Sequence, residues 1–413
     1  MRAPDSQPPA TPVSHAKPTG RLGSIDAYRG LVMFLMMAEV LHLCQVASQF
    51  PGNAVWGFLC HHQTHLQWVG CTLHDMIQPS FSFLVGVAMV LSLHRRATDG
   101  QSPARRTLHV LWRSLILIYL GIFLRSTGAQ HDRTNYTFED TLTQIGLWYP
   151  FLYAISFLPR KTWGWALAVI LVGYWAAFAL DPLPGNDFDY NAVGVSPGWF
   201  QEHGLTGFAA HWQKNSNLAW KVDRWFMNLP VFNRREPFQF NGGGYSTLNF
   251  IPTLGTMVLG LITGGWLLDD RWSARQRLGL LFGAGVACLA TGWLLGALGI
   301  CPVVKRIWTP SWVLFSGGWC LLALGLFHAI IDVQGWKAWS YPLQVIGRNS
   351  IAAYLIAHLF DGFILDSLRK HITPGLFRIL GEPLVPFVEG AILLLIFWLI
   401  LAWMDKRKLY LKV

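Results

Sequence analysis

Charge is what this chain most lacks. Only 13% of its 413 residues are Asp, Glu, Lys or Arg, against roughly 25% in soluble globular chains. A water-facing surface of ordinary extent is therefore excluded. Residues 1–20 lack the apolar stretch of a signal peptide. They are rich in Pro, Ser, Thr and Ala and read as a disordered cytosolic tail, with the first apolar helix acting as its own insertion signal. The six cysteines include no Cys-x-x-Cys pair. Cys60, Cys71 and Cys301 fall in or beside loops placed outside below, where a disulfide is admissible; the simpler reading is unpaired small apolar residues. No internal repeat and no soluble domain is visible. Nor are there two halves of matching hydropathy, a pattern that many transporters carry.

What remains is apolar and aromatic: 53% hydrophobic residues and 21 tryptophans. Indole rings favour the membrane–water boundary, where ring and N–H are both satisfied. A spanning helix needs roughly 20 apolar residues. Ten candidates follow, at about 28–48, 75–93, 108–124, 143–159, 163–180, 247–268, 278–298, 311–331, 349–366 and 387–404. The expected fold is an all-α polytopic membrane protein with about ten transmembrane helices. The domain proper covers 21–413, with one long insert at about 181–246, too polar to span and aromatic enough to pack as a cap.

The excess of 32 Lys+Arg over 22 Asp+Glu sits in short blocks between apolar runs. That is the pattern of loops facing a cytoplasm and its anionic lipids, not of a nucleic-acid surface. With the N-terminus inside, twenty of the 32 basic residues fall inside, and loop 49–74 has none. Both termini are thus expected to be cytosolic.

Ionisable residues in the apolar core are expensive and usually functional or paired. The first span carries Glu39 and His42, three apart and so expected on one face. Both are candidates for the site and are expected to face the bundle interior. His328 and His358 read as packing residues, and Asp26 with Arg29 as a local ion pair at the cytosolic boundary. The densest chemistry lies at 61–86, with His61, His62, His65, His74 and Asp75 at the outer mouth of the second span. Three readings compete. The spacing is not a recurrent zinc pattern, so a metal site is the weakest. A loop shaped by Trp68, Gly70 and Pro79 is the second. The third is general-base or nucleophilic catalysis, with an imidazole taking the proton and a carboxylate orienting it.

Several blocks occur in an order that resembles a known family. Arg21, Ser24, Asp26, Arg29 and Gly30 look like R-x-x-S-[IVL]-D-x-x-R-G. His65, Trp68, Gly70, Asp75, Pro79, Phe81, Phe83 and Gly86 look like H-x-x-W-x-G-x-x-x-x-D-x-x-x-P-x-F-x-F-x-x-G. Leu142, Gln144 and Gly146 resemble L-Q-R-x-G; Gly244 to Asn249, with Gly260 and Gly264, resemble E-G-x-x-S-T-[LI]. Lys305, Trp308, Thr309 and Ser311, then Gly347, Asn349, Ser350 and Ile351, resemble K-x-[LI]-W-[TS]-x-S and G-x-N-S-I. The chain is similar, over about 20–413, to the membrane acetyltransferases typified by lysosomal heparan-α-glucosaminide N-acetyltransferase and its bacterial homologues. It departs from them at Val40, where Asn is common, at Ile145, where Arg is common, and at Gly243, where an acid is common.

The resemblance implies a transmembrane acyltransferase of a bacterial cytoplasmic membrane. It would move an acetyl group from cytosolic acetyl-CoA to an amino sugar or polysaccharide on the far side, with no metal. His65 matches the family's catalytic histidine, as general base or transient acyl carrier, and Asp75 would orient it. Trp68, Gly70, Asn249, Trp308, Ser311 and Asn349 are assigned to the acceptor side, with backbone N–H groups near Gly70 or the Asn249 amide as oxyanion donors. Arg113 and Gln144 are assigned to acetyl-CoA. Membrane lipid is a partner, and a homodimer stays open. The rival readings are a proton-coupled permease using Glu39, His42 and His65 as a path, and a catalytically silent member of the family.

Overall fold

Within a bilayer every backbone N–H and C=O must be paired inside the protein, and a helix does so within one segment. The computed structural model describes residues 22–98, 100–127 and 133–411; the 1–20 tail lies outside the described residues. The chain is an all-helical integral membrane protein. It opens with α1 (Gly23–Met37), α2 (Leu43–Gln49) and α3 (Ala54–Gln63), followed by α4 (Ile77–Thr98) and α5 (Pro103–Leu124). Next come α6 (Thr141–Ser156) and α7 (Trp163–Leu180), then α8 (Pro197–His203) and α9 (Leu218–Phe226) in the insert. The second half holds α10 (Phe250–Leu267), α11 (Ala274–Ala297), α12 (Pro310–Phe327), α13 (Tyr341–Arg348) and α14 (Ser350–Leu359). It ends with α15 (Asp361–His371), α16 (Pro374–Phe377) and α17 (Val385–Lys406).

Among the described residues seven helices are long and apolar enough to cross a membrane, or nine if two bent pairs each count as one span. The expected span at 143–159 is α6. Its 16 residues, with Pro150 inside, are fewer than a full crossing needs. The ninth expected span is broken between α14 and α15, which meet at 59°.

The first expected span, 28–48, is also not one helix. α1 tightens into a 3-10 turn over Ala38–Leu41, and His42 takes φ 48° before α2 sets off at 43°. A non-glycine residue rarely adopts that left-handed backbone. The break separates Glu39 from His42, so the shared face expected of an unbroken helix does not form. Both side chains are exposed rather than packed in the bundle interior.

Close helix contacts are made by glycine. A Cβ on Gly86 of α4 would lie 1.9 Å from the Met257 carbonyl oxygen, and one on Gly260 of α10 would lie 2.0 Å from that of Phe83. In lipid, helices associate by such packing rather than by the hydrophobic effect. The α4–α10 contact matters for the site because α4 follows directly on Asp75. Gly260→Ala is expected to destabilise the protein by about 1–3 kcal/mol, read as a lower melting temperature in detergent. Gly279→Ala, whose Cβ would meet nothing within 4 Å, should leave it unchanged.

The insert packs over the ends of α7 and α10 around fully buried Trp212 and Phe178. Lys221 Nζ reaches Asp181 Oδ2 at 2.7 Å, and Asn215 Nδ2 donates to the carbonyls of Val193 and Asn241 at 2.8 and 3.1 Å. These bonds tie its turns to each other and to the end of α7.

Candidate active site

The segment between α3 and α4 is shaped by the residues of the H-x-x-W-x-G pattern. Trp68 is buried, and its Nε1–H donates to the Trp212 carbonyl at 3.1 Å, tying the loop to the insert. Gly70 has φ 117°, a backbone region that a side chain disfavours, and its N–H donates to the Val303 carbonyl at 2.9 Å. Val69 pairs with Val304 in an isolated bridge. The loop before α4 is thereby held against 301–309, the loop before α12. Its N–H at Gly70 is already used and is no free oxyanion donor.

That bridge brings Lys305 to the site. His65 Nδ1 lies 2.8 Å from Asp75 Oδ1; Lys305 Nζ lies 3.2 Å from the same oxygen and 3.1 Å from His65 Nδ1. The other carboxylate oxygen accepts from the Thr72 N–H at 3.1 Å, the Thr72 hydroxyl at 3.0 Å and the Leu66 N–H at 3.3 Å. Asp75 and Lys305 are buried, while the His65 side chain is 37% exposed. An ionised carboxylate only accepts. The Nδ1 contact therefore assigns the imidazole proton to Nδ1, and leaves the Nε2 lone pair free in the exposed part of the ring. Lys305 donates to Asp75, and its approach to Nδ1 is electrostatic.

Burial holds the His65 pKa below its usual value; the Asp75 hydrogen bond opposes this, and the Lys305 and His74 charges reinforce it. Burial likewise lowers Lys305, with Asp75 opposing. A neutral imidazole with a bare Nε2, a fixed tautomer and a nearby cation can accept a proton or attack an acyl carbon.

Glu39 reaches this cluster by another route. Its Oε1 lies 3.0 Å from His74 Nε2, and the His74 and His65 rings are 4.5 Å apart. His42 is not drawn in; it marks the bend. His62 Nδ1 accepts from the Leu73 N–H at 3.2 Å, so it supports the loop. Among the described residues no three His, Cys, Asp or Glu side chains are grouped to hold a metal ion.

The remaining sequence candidates hold the frame. Asn249 accepts from the Ser246 hydroxyl and donates Nδ2–H to the Arg306 carbonyl at 2.7 Å, so its amide is engaged beneath the Lys305 loop. Trp308 is fully buried, and its Nε1–H donates to Thr256 Oγ1 at 3.0 Å. Ser311 donates to the Pro302 carbonyl at 2.7 Å. Asn349 lies elsewhere: it fastens the C-terminal segment through the Leu409 carbonyl and the Leu411 N–H. Arg113 donates to the Tyr149 hydroxyl at 3.1 Å and stacks on its ring; Gln144 donates to the Phe138 and Thr247 carbonyls. Among the described residues no hydrogen bond or ion pair joins these two to His65, Asp75 or Lys305. Lys305 is the residue that the sequence reading left out of the site. It opens the K-x-[LI]-W-[TS]-x-S block, but nothing in that block points to a contact with His65.

A disulfide joins Cys44 and Cys60. Cys44 was counted inside the first span; the bend at His42 carries it onto α2, where α2 and α3 pack as a hairpin. Cys71 and Cys301 are free. Thiol alkylation of the denatured chain is expected to label four cysteines without reductant and six with it. Six in both cases would remove the bridge.

The chain is similar to known proteins. The family described as "Heparan-alpha-glucosaminide N-acetyltransferase, catalytic" matches residues 21–195. A human protein named heparan-alpha-glucosaminide N-acetyltransferase is 24% identical over 421 residues, covering 90% of this chain and 59% of its own length. The mouse protein of the same name is 21% identical over 393 residues, covering 85% of this chain and 55% of its own length. The chain thus spans rather more than half the length of the curated relatives it matches. The matched family region contains His65 and Asp75; Lys305 lies beyond it.

Proposed function

We propose that the chain is a member of the heparan-α-glucosaminide N-acetyltransferase family it is similar to, and that it transfers an acetyl group from cytosolic acetyl-CoA to an extracytoplasmic amino sugar or polysaccharide. One observation carries this reading: a half-exposed imidazole whose Nδ1 is held at 2.8 Å by a buried carboxylate, leaving Nε2 free.

In direct transfer His65 Nε2 takes the proton from the acceptor amine as its nitrogen attacks the thioester carbonyl. The tetrahedral intermediate then expels the CoA sulfur, which recovers the proton from His65. In the alternative, Nε2 itself attacks, CoA leaves as the thiolate, and the resulting Nε2-acetyl-imidazolium passes its acyl group to the amine, whose proton goes to the thiolate. Asp75 keeps the tautomer that both routes need. Acetyl-CoA supplies the activated acyl group; its charged end stays on the cytosolic side while the pantetheine arm threads between helices.

Purified protein in detergent, incubated with radiolabelled acetyl-CoA and a panel of amino sugars and polysaccharides, is expected to label an acceptor. Saturable transport without acyl transfer would instead favour a permease. Both termini are placed in the cytosol, with 181–246 on the far side of a bacterial cytoplasmic membrane. The basic residues support that orientation, as does the Cys44–Cys60 bridge, since disulfides persist outside the reducing cytosol. A C-terminal reporter fusion should be active only in its cytosolic form; activity only in the periplasm would reverse the orientation.

A further inference from the structure

The site holds a second imidazole that the reaction above does not use. The His74 ring lies 4.5 Å from the His65 ring, and His74 Nε2 lies 3.0 Å from Glu39 Oε1. The His74 side chain is 9% exposed, whereas that of Glu39 is 57% exposed. An ionised carboxylate only accepts, so the contact assigns a hydrogen to His74 Nε2. Among the described residues His74 Nδ1 makes no hydrogen bond. His74 with Glu39 thus repeats the arrangement of His65 with Asp75. One ring nitrogen is held by a carboxylate, and the other is left to exchange a proton.

The proton balance of the reaction calls for such a group. An amine with a pKa of about 7.7–8.0 is mostly ammonium at pH 7. Making an amide from an ammonium and a thioester forms one C–N bond and breaks the C–S bond, and two protons leave the nitrogen. One ends on the CoA sulfur, by way of His65 in direct transfer or straight to the thiolate in the acyl-carrier route. Neither route provides a taker for the other. The Asp75 carboxylate is filled by donors from His65, Lys305, Thr72 and Leu66, and the Lys305 ammonium has no lone pair.

We propose that His74 is the base that takes this other proton, converting a bound ammonium to the nucleophilic amine, with Glu39 as its counter-charge. His74 Nδ1 accepts the proton, Glu39 balances the imidazolium, and the proton passes to water after the amide leaves. The inference rests on the acetyl-transfer reading. Four more charged or titratable groups surround the pair. His65 and Asp75 belong to the same loop, Lys305 reaches the cluster from the 301–309 loop, and His358 of α14 also faces Glu39. All four stay in place in the variants below.

The test is kcat/KM of the purified full chain at pH 6.5 and pH 9, with labelled acetyl-CoA and glucosamine, or the amino sugar of the panel above that is labelled best. His74→Gln removes the base, while its side-chain amide can still donate to Glu39. Only free amine then reacts, about one-twentieth of the total at pH 6.5 and nearly all of it at pH 9. The variant is expected to fall about 20-fold below the native chain at pH 6.5 and to come within about threefold of it at pH 9. Glu39→Gln keeps an acceptor for the Nε2 hydrogen without the charge, and should shift the same way by a smaller factor. The readout is the ratio between the two pH values, since a loss of folded protein lowers both alike. An equal deficit at both pH values in the two variants would mean that His74 only supports the loop, and would overturn the proposal alone. So would native activity of His74→Gln at pH 6.5. If the native chain acetylates no amine at either pH, the acetyl-transfer reading falls and this proposal with it.

Discussion

His65→Ala is expected to reduce acetyl transfer by roughly 10³-fold or more, near the upper range for removal of a general base. CoA binding and the melting temperature should change little. The ring is partly exposed, so its loss opens no sealed cavity, and the loop keeps its other fastenings through Trp68, Gly70 and Thr72. His61→Ala and His62→Ala serve as internal controls. His62 accepts a backbone N–H from Leu73 but has no bond to Asp75 or Lys305, and a mild loss is expected. Labelled acetyl-CoA with a confirmed acceptor measures all three. Near-normal turnover in His65→Ala would remove the imidazole from the chemistry and leave the cluster as a loop support. A measurable acetyl-enzyme that vanishes in the variant would select the acyl-carrier route over direct transfer.

Why His65 could be read from sequence, and Lys305 could not, comes down to distance along the chain. His65, Trp68, Gly70 and Asp75 sit within one loop, so their spacing carries the geometry: one anchor, one turn and one carboxylate at the start of a helix. Lys305 is 240 residues from His65 and meets it only because Val69 pairs with Val304. No periodicity in either segment announces that bridge. The spans show the same division. Hydropathy runs located α4, α5, α7, α10, α11, α12 and α17, because the pairing demand of the backbone makes any long apolar run a helix. Hydropathy says nothing of where a helix breaks. The left-handed backbone at His42 and the bend before Asp361 were invisible to it. With the first break went two expectations, the shared face of Glu39 with His42 and the burial of Cys44 in a span. Asn249, Trp308 and Ser311 show a further limit. Their place in ordered blocks marked them as important, but their hydrogen bonds run to backbone carbonyls of the Lys305 loop and, from Trp308, to the Thr256 hydroxyl of α10. A sequence block cannot tell a residue that touches substrate from one that holds the residue that does.

Lys305→Met carries the second large effect, and its signs are fixed by the charges left behind. In the native site the ammonium opposes protonation of His65, whose pKa is already lowered by burial. The base is therefore neutral near pH 7, and the acid limb of kcat/KM should inflect below about 6.5, the ordinary histidine value. With methionine at 305, Asp75 faces His65 unopposed, the imidazolium is favoured, and the limb moves to higher pH. Activity at pH 6 should fall more steeply than activity at pH 8.

Stability should move too, because removing one partner of a buried pair costs about 3–5 kcal/mol. The lower end is expected, since Thr72, Leu66 and His65 still donate to the Asp75 carboxylate. The imidazolium can partly replace the missing cation, and it does so only while protonated. A histidine whose folded pKa is raised stabilises the fold below its unfolded pKa, and that contribution is lost as pH rises through the folded value. The variant's deficit in melting temperature, relative to the native chain, should therefore widen from pH 5.5 to pH 8. A lysine that merely filled space would lower the melting temperature equally at every pH and leave the acid limb where it was. A variant with both the limb and the pH dependence of melting unchanged would show that Lys305 does not set the charge state of His65.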